Sequence, residues 1–198
     1  MADPSAAVLG FRPHTYWTAV VALSGPPDAP RVILRHRMVF AAGAERSVYH
    51  HAAEATDGTA EALIERVRAA TEVNARAGIG ALLELLGRDG VAVRIAAAPT
   101  GGRKLPALAQ ILRVHTLQHA AEGEFYRDVV AAACAQLGLE VRRPVERELP
   151  TLVCDKLGVA PTRLQAVLKE MGAALGPPWS EDQRLAMMAA WLQLDGAA

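Results

Sequence analysis

The chain has 198 residues, 52% hydrophobic and 21% charged, which suits one folded domain whose core draws mainly on Ala, Leu and Val, because aromatics supply only 5%. Its 21 basic residues balance 21 acidic ones, so bulk positive charge is excluded as a means of holding nucleic acid and only a local basic patch is left for that purpose. The N-terminus, MADPSAAVL, has no basic leader, and no run approaches the roughly 18 apolar residues that span a bilayer; a soluble, cytoplasmic protein with no membrane partner is expected.

Residues 8–23, VLGFRPHTYWTAVVAL, read as a strand, a tight bend and a returning strand. Pro13 has no N–H to donate and suits a strand end. The rigid turn SGPPDAP leads to a third strand over 31–40, completing an antiparallel meander. His50 and His51 then read as exposed loop histidines. A helix begins near Ala60, capped by Asp57 or Thr59, with Leu63, Ile64 and Val67 on its packed face, and Gly78 and Gly80 are expected to bend or divide it before residues 87–90 end it.

Residues 91–98, VAVRIAAA, are short, apolar and bounded by turns, the pattern of a buried strand reached by a crossover and hence paired in parallel. Pro106 opens a helix running towards Leu137, with Gly123 an expected interruption and Gly138 a stop. Residues 139–145 read as a last strand. They are followed by a short helix over 150–158, an amphipathic helix over 161–175, a Gly-Pro-Pro break at 176–178 and a final helix with a capping-box start at Ser180 and Gln183.

Chemistry-bearing residues are few. Cys134 and Cys154 lie outside any CxxC or Cys/His zinc spacing and read as small buried hydrophobes. His115 and His119 have the i,i+4 spacing of one helix face, but Thr116 stands where a zinc protease carries its glutamate. A solvated or half-buried polar face is expected there, with a site shared between these histidines and Glu122 or Glu124 as the alternative. Around Glu122–Asp128 the like charges Glu124 and Asp128 are i,i+4 neighbours, which Arg127 is placed to offset. Arg12, Arg31, Arg35, Arg37, Arg103, Lys104, Arg142 and Arg143 are the candidates for phosphate contact, although scattered arginines are more often solvated surface.

The order of elements resembles the ribonuclease H-like fold, and within it the chain is similar to the RuvC-type Holliday-junction resolvases. Their opening motif, apolar-Leu-Gly-apolar-Asp-Pro-Gly before a strand, is matched by Val8-Leu9-Gly10-Phe11-Arg12-Pro13-His14. Their closing plan, a helix, a Pro-containing break and a last helix opening on aspartates, is matched by residues 161–175, 176–178 and 180–191. The resemblance implies an α/β domain over 1–198, with a mixed five-stranded sheet (an antiparallel meander plus two parallel strands) flanked by helices.

The departures bear on function. Such nucleases hold two divalent metals with convergent carboxylates. Here the first-strand aspartate falls on Arg12, the glutamate after the fourth strand falls within 96–98, which are all alanine, and only Glu181 and Asp182 stand near the C-terminal acidic pair. Those two also suit the first turn of a capped helix. A guanidinium at Arg12 would repel Mg²⁺ by on the order of several kcal/mol at a few ångströms. The expected function is therefore non-catalytic binding of nucleic acid, through Arg12, Arg103, Lys104, Arg142 and Arg143, or of a protein partner, without a metal cofactor. Trp179, Trp191, Met187 and Met188 are candidates for a self-association surface. The alternative is a divergent Mg²⁺- or Mn²⁺-dependent nuclease using Glu181, Asp182 and His119 or Glu124.

Overall fold

A computed structural model describes residues 5–40, 47–55 and 59–196. Strands β1 (Ser5–His14), β2 (Trp17–Ser24) and β3 (Arg31–Val39) form the meander. A parallel strand, β4 (Val91–Ala97), lies beside β1, and a short one, β5 (Glu140–Arg142), lies beside β4. The resulting sheet, ordered β3-β2-β1-β4-β5, has the mixed order and sense of a ribonuclease H-like fold.

Alternation along the strands feeds two cores. Leu9 and Phe11 of β1, Val20 and Ala22 of β2 and Ala96 of β4 face α1 (Val48–Glu54), α2 (Thr59–Arg88), α3 (Leu108–Arg113) and α4 (His115–Gln136), and Cys134 is buried in this layer. Val8, Ala19, Val21, Leu23, Ile95 and Ala97 face α5 (Leu149–Leu157), α6 (Pro161–Leu175) and α7 (Glu181–Trp191), and Cys154 is buried in that one. Both thiols are free. Among the described residues no helix is long and apolar enough to cross a membrane.

Several local expectations are corrected. The segment carrying His50 and His51 is helix α1, whose buried Val48, Tyr49 and Ala52 dock it on the first layer; Asp57 lies outside the described residues. Helix α2 runs unbroken through Gly78 and Gly80 for 30 residues. Gly78 instead makes room for Met38, whose sulfur would stand 2.6 Å from a Cβ at that position. The helix expected from Pro106 is two, divided at Val114, which adopts φ −125° and ψ 108°, whereas Gly123 lies inside α4. The last strand is cut to three residues, with a single further bridge from Val145 to Thr100.

Helix α7 sets the geometry that matters most. Ser180 and Gln183 close the capping box, with the Ser180 N–H donating to Gln183 Oε1 at 2.9 Å. The Arg35 guanidinium donates to the carbonyls of Leu175, Gly176 and Pro178 at 2.7–2.9 Å, satisfying the end of α6 and fixing the approach to α7. The helix then lies directly on β1 at Gly10, where a Cβ would run into the Ala186 carbonyl and stand 2.9 Å from Ala190 Cβ. Met187, Met188 and Trp191 are consequently core residues, and Trp191 donates to the Pro27 carbonyl at 2.8 Å. Trp179 donates to Leu168 O at 2.8 Å. Packing thus accounts for these residues, and none of the three core side chains is free to form a self-association surface.

Candidate functional site

Gly10 and Arg12 are two apart on β1 and share the face that α7 covers, and Asp182 lies one turn before Ala186. The close approach at Gly10 therefore delivers Asp182 to Arg12, with Oδ1 3.3 Å from Nη1. The other outer nitrogen of Arg12 lies 3.5 Å from Glu146 Oε1, and Glu146 Oε2 lies 3.3 Å from Nη2 of Arg127 on α4. Glu146 thus joins a guanidinium from the α7 side of the sheet to one from the opposite helical layer. Asp182, Arg12, Glu146 and Arg127 form a row of alternating sign with no net charge, at the carboxyl ends of β1 and β4, where open α/β sheets place their ligand crevices. The four side chains are 15–25% exposed, shielded enough for their attraction to exceed that of a surface pair.

His14 closes the row. The β1–β2 bend at Thr15 and Tyr16 makes His14 and Trp17 cross-strand partners, and their rings stack at 4.2 Å and 7°. The Arg37 guanidinium lies 4.3 Å from the Trp17 ring centroid. His14 Nε2 is 2.8 Å from Asp182 Oδ1, and Arg12 Nη1 contacts both ring nitrogens, Nε2 more closely than Nδ1, which lies 2.9 Å away. With the Arg12 guanidinium against both of its nitrogens, the ring is assigned as neutral, because a protonated ring would set positive charge against positive charge. Burial lowers the His14 pKa from 6.5, the bond to Asp182 opposes that, and the Arg12 charge adds to the lowering.

A second cluster adjoins the row. Glu124 accepts from Thr100 Oγ1 at 2.5 Å and from the Gly101 N–H at 2.8 Å, and lies 3.3 Å from Arg143 Nη2. A Cβ on Gly101 would stand 2.9 Å from that carboxylate, so only glycine fits there without displacing it. Arg143 also reaches Asp128 at 2.6 Å. The cation that offsets Glu124 and Asp128 is therefore Arg143, and Arg127 is engaged with Glu146 instead.

The structure brings together two regions of the sequence, Arg12 and Asp182, and leaves the other proposed site residues apart from them. Glu181 is exposed beside Pro150, Gln165 and Arg184. Glu124 belongs to the Thr100–Arg143 cluster, and His119 lies among other histidines, 4.7 Å from the His50 ring centre. Ala96, Ala97 and Ala98 are fully buried and offer no side-chain donor. Arg142 is exposed and paired with Glu140. Arg103 and Lys104 are exposed, with no ion pair among the described residues.

Sequence reasoning passed over His14, Glu146 and Arg127 as members of the crevice. The i,i+2 relation of Arg12 and His14 on one strand was a usable signal. Glu146 carries none, because it comes into place only through the seam in which Thr100 N–H donates to Pro144 O and Glu146 N–H to Thr100 O, each at 2.9 Å.

No family model matches the sequence, and no curated protein does. A solved structure described as T. thermophilus RuvC in complex with Holliday junction substrate is similar over 95% of this chain and 92% of that chain, at 14% identity and a TM-score of 0.48.

Proposed function

We propose that this chain is a RuvC-like domain that binds nucleic acid without cleaving it. The observation that carries the reading is Arg12. Its guanidinium is ion-paired to Asp182 and Glu146 at 3.3 and 3.5 Å, at the place where the resembling nucleases carry an acidic metal ligand. A divalent pair needs several anionic oxygens facing one point, and here both crevice carboxylates already face guanidiniums. The donor set does not suit such metals.

The binding half of the proposal rests on the seam beside the crevice. Arg103 and Lys104 follow the Thr100–Gly102 turn, which packs against Val145. Arg142 leaves the end of β5 next to it and, among the described residues, is ion-paired only with exposed Glu140, a pair of the kind that contributes little. These three cations are accessible to phosphates, whereas Arg12 and Arg143 are engaged in the networks above and position the crevice.

Fluorescence anisotropy of labelled four-way junction, duplex and single-stranded DNA, and of duplex and single-stranded RNA, across a salt series tests this. Affinity should fall linearly in log–log form as salt rises, and R103E/K104E should weaken binding and reduce the slope by about 2. Incubation with Mg²⁺ or Mn²⁺ should yield no product. Cleavage that disappears in D182A or E181A would establish the nuclease reading instead. Absence of DNA and RNA binding at low salt would leave a protein partner, including a second copy of this chain, as the ligand.

A further inference from the structure

On the outer side of the first helical layer, three histidines from two elements converge. His115 and His119 are one turn apart at the start of α4, with ring centres 4.4 Å apart. His50 comes from α1, whose docking is fixed by Tyr49 packing edge-on against Phe125 at 6.3 Å. Its ring lies 5.1 Å from His115 and 4.7 Å from His119. One nitrogen from each of the three rings falls within 4.8 Å of the others. Ligands of a tetrahedral zinc at 2.0–2.1 Å stand about 3.4 Å apart, so small side-chain rotations bring all three into range.

A buried carboxylate lies behind them. Glu122 is 5% exposed, and its oxygens face His50 Nδ1 at 2.9 Å and His119 Nδ1 at 3.9 Å. Burying a carboxylate is costly unless it is paired, and both of these partners are ligand-type side chains. With His50 Nδ1–H donating to Glu122, its Nε2 lone pair is the one left to bind an ion. A carboxylate that fixes the tautomer and orientation of a histidine is the outer-shell arrangement of zinc centres. Imidazole donors select zinc and its late first-row neighbours over magnesium or calcium. His115 and His119 are exposed, so the outer side of the cluster opens to solvent.

We infer that His50, His115 and His119 form a binding site for one Zn²⁺ ion, oriented by Glu122 and completed by water, which clips α1 to the start of α4. This site is separate from the Arg12 crevice and stands whether or not the chain binds nucleic acid.

The test is titration of the 198-residue chain with ZnCl₂ against a chromophoric chelator, together with the visible spectrum of the Co²⁺-substituted protein. One equivalent of Zn²⁺ should bind, and Co²⁺ should give the intense bands of a four- or five-coordinate ion. H119A and H115A, both at exposed positions and therefore harmless to the fold, should abolish binding. E122Q should weaken it about 10–100-fold, and H51A, outside the cluster, should leave it unchanged. Binding that is undetectable in the parent chain, or that persists at full affinity in H119A, overturns the site and leaves the His50–Glu122 contact as an ordinary hydrogen bond.

Discussion

Arg12 donates from both outer nitrogens, while its Nε–H, like that of Arg127, is buried and finds no acceptor among the described residues. Each such donor costs about 1–3 kcal/mol, and the ion pairs made by the outer nitrogens must offset it. The neighbouring His14 makes the row sensitive to acid. Because burial lowers its pKa below 6.5, the unfolded chain takes up a proton near that pH while the folded chain stays neutral. Stability contributed at this position is therefore complete above the unfolded value and is lost as pH falls through it towards the native one. A neutral Gln keeps a donor for Asp182 and removes the titration. Urea midpoints measured near pH 7.5 and about pH 5.5 should fall less in H14Q than in the parent chain, and an equal or larger fall in the variant would contradict the assignment of a neutral imidazole.

At the scale of elements, contact between α7 and β1 depends on one absent side chain. In G10A the new methyl meets the Ala186 carbonyl and the Ala190 Cβ, both on the rigid part of α7. The helix must move off the sheet, costing about 3 kcal/mol, and Asp182 moves with it. A fall of roughly 6–12 °C in melting temperature is expected for a chain of this length. Calorimetry reads the stability, and a chemical-shift change at His14 reads the displacement. A variant that melts normally would mean that the sheet or helix yields more easily than this packing implies. Most elements were legible because their signals are local: the Ser180–Gln183 box, the Pro at the start of α6 and the apolar runs of β1 and β2. What was missed depends on distant partners. The interior glycine Gly78 does not bend α2 because Met38 of β3 fills the space beside it, and Val114 breaks the α3–α4 run without any proline or glycine to announce it. Helix α1 has no side-chain cap and only seven residues, too few to stand without tertiary packing, so His50 passed for a loop residue.

Across the whole molecule, the crevice closes because His14 and Asp182 meet across 168 residues of sequence. That meeting was legible only through the resemblance, which placed the two chain ends together; Asp182, and not Glu181, is the residue that arrives. The histidine cluster was half legible, since the i,i+4 pair on α4 is visible in the sequence and the third ring is not. Each helical layer also encloses one native thiol, and Cys134 is so shielded that burial pushes its pKa up to about 12, leaving almost no thiolate to react near neutral pH. The protein therefore carries a built-in clock on either side of its sheet. Pulses of N-ethylmaleimide in sub-denaturing urea, read by mass spectrometry, should mark Cys154 before Cys134, because Cys154 sits on α5, which packs on α7 and α6, and is 7% exposed, whereas Cys134 is fully buried. Simultaneous marking would show that the two halves open as one cooperative body, with no layer free to loosen while the other holds.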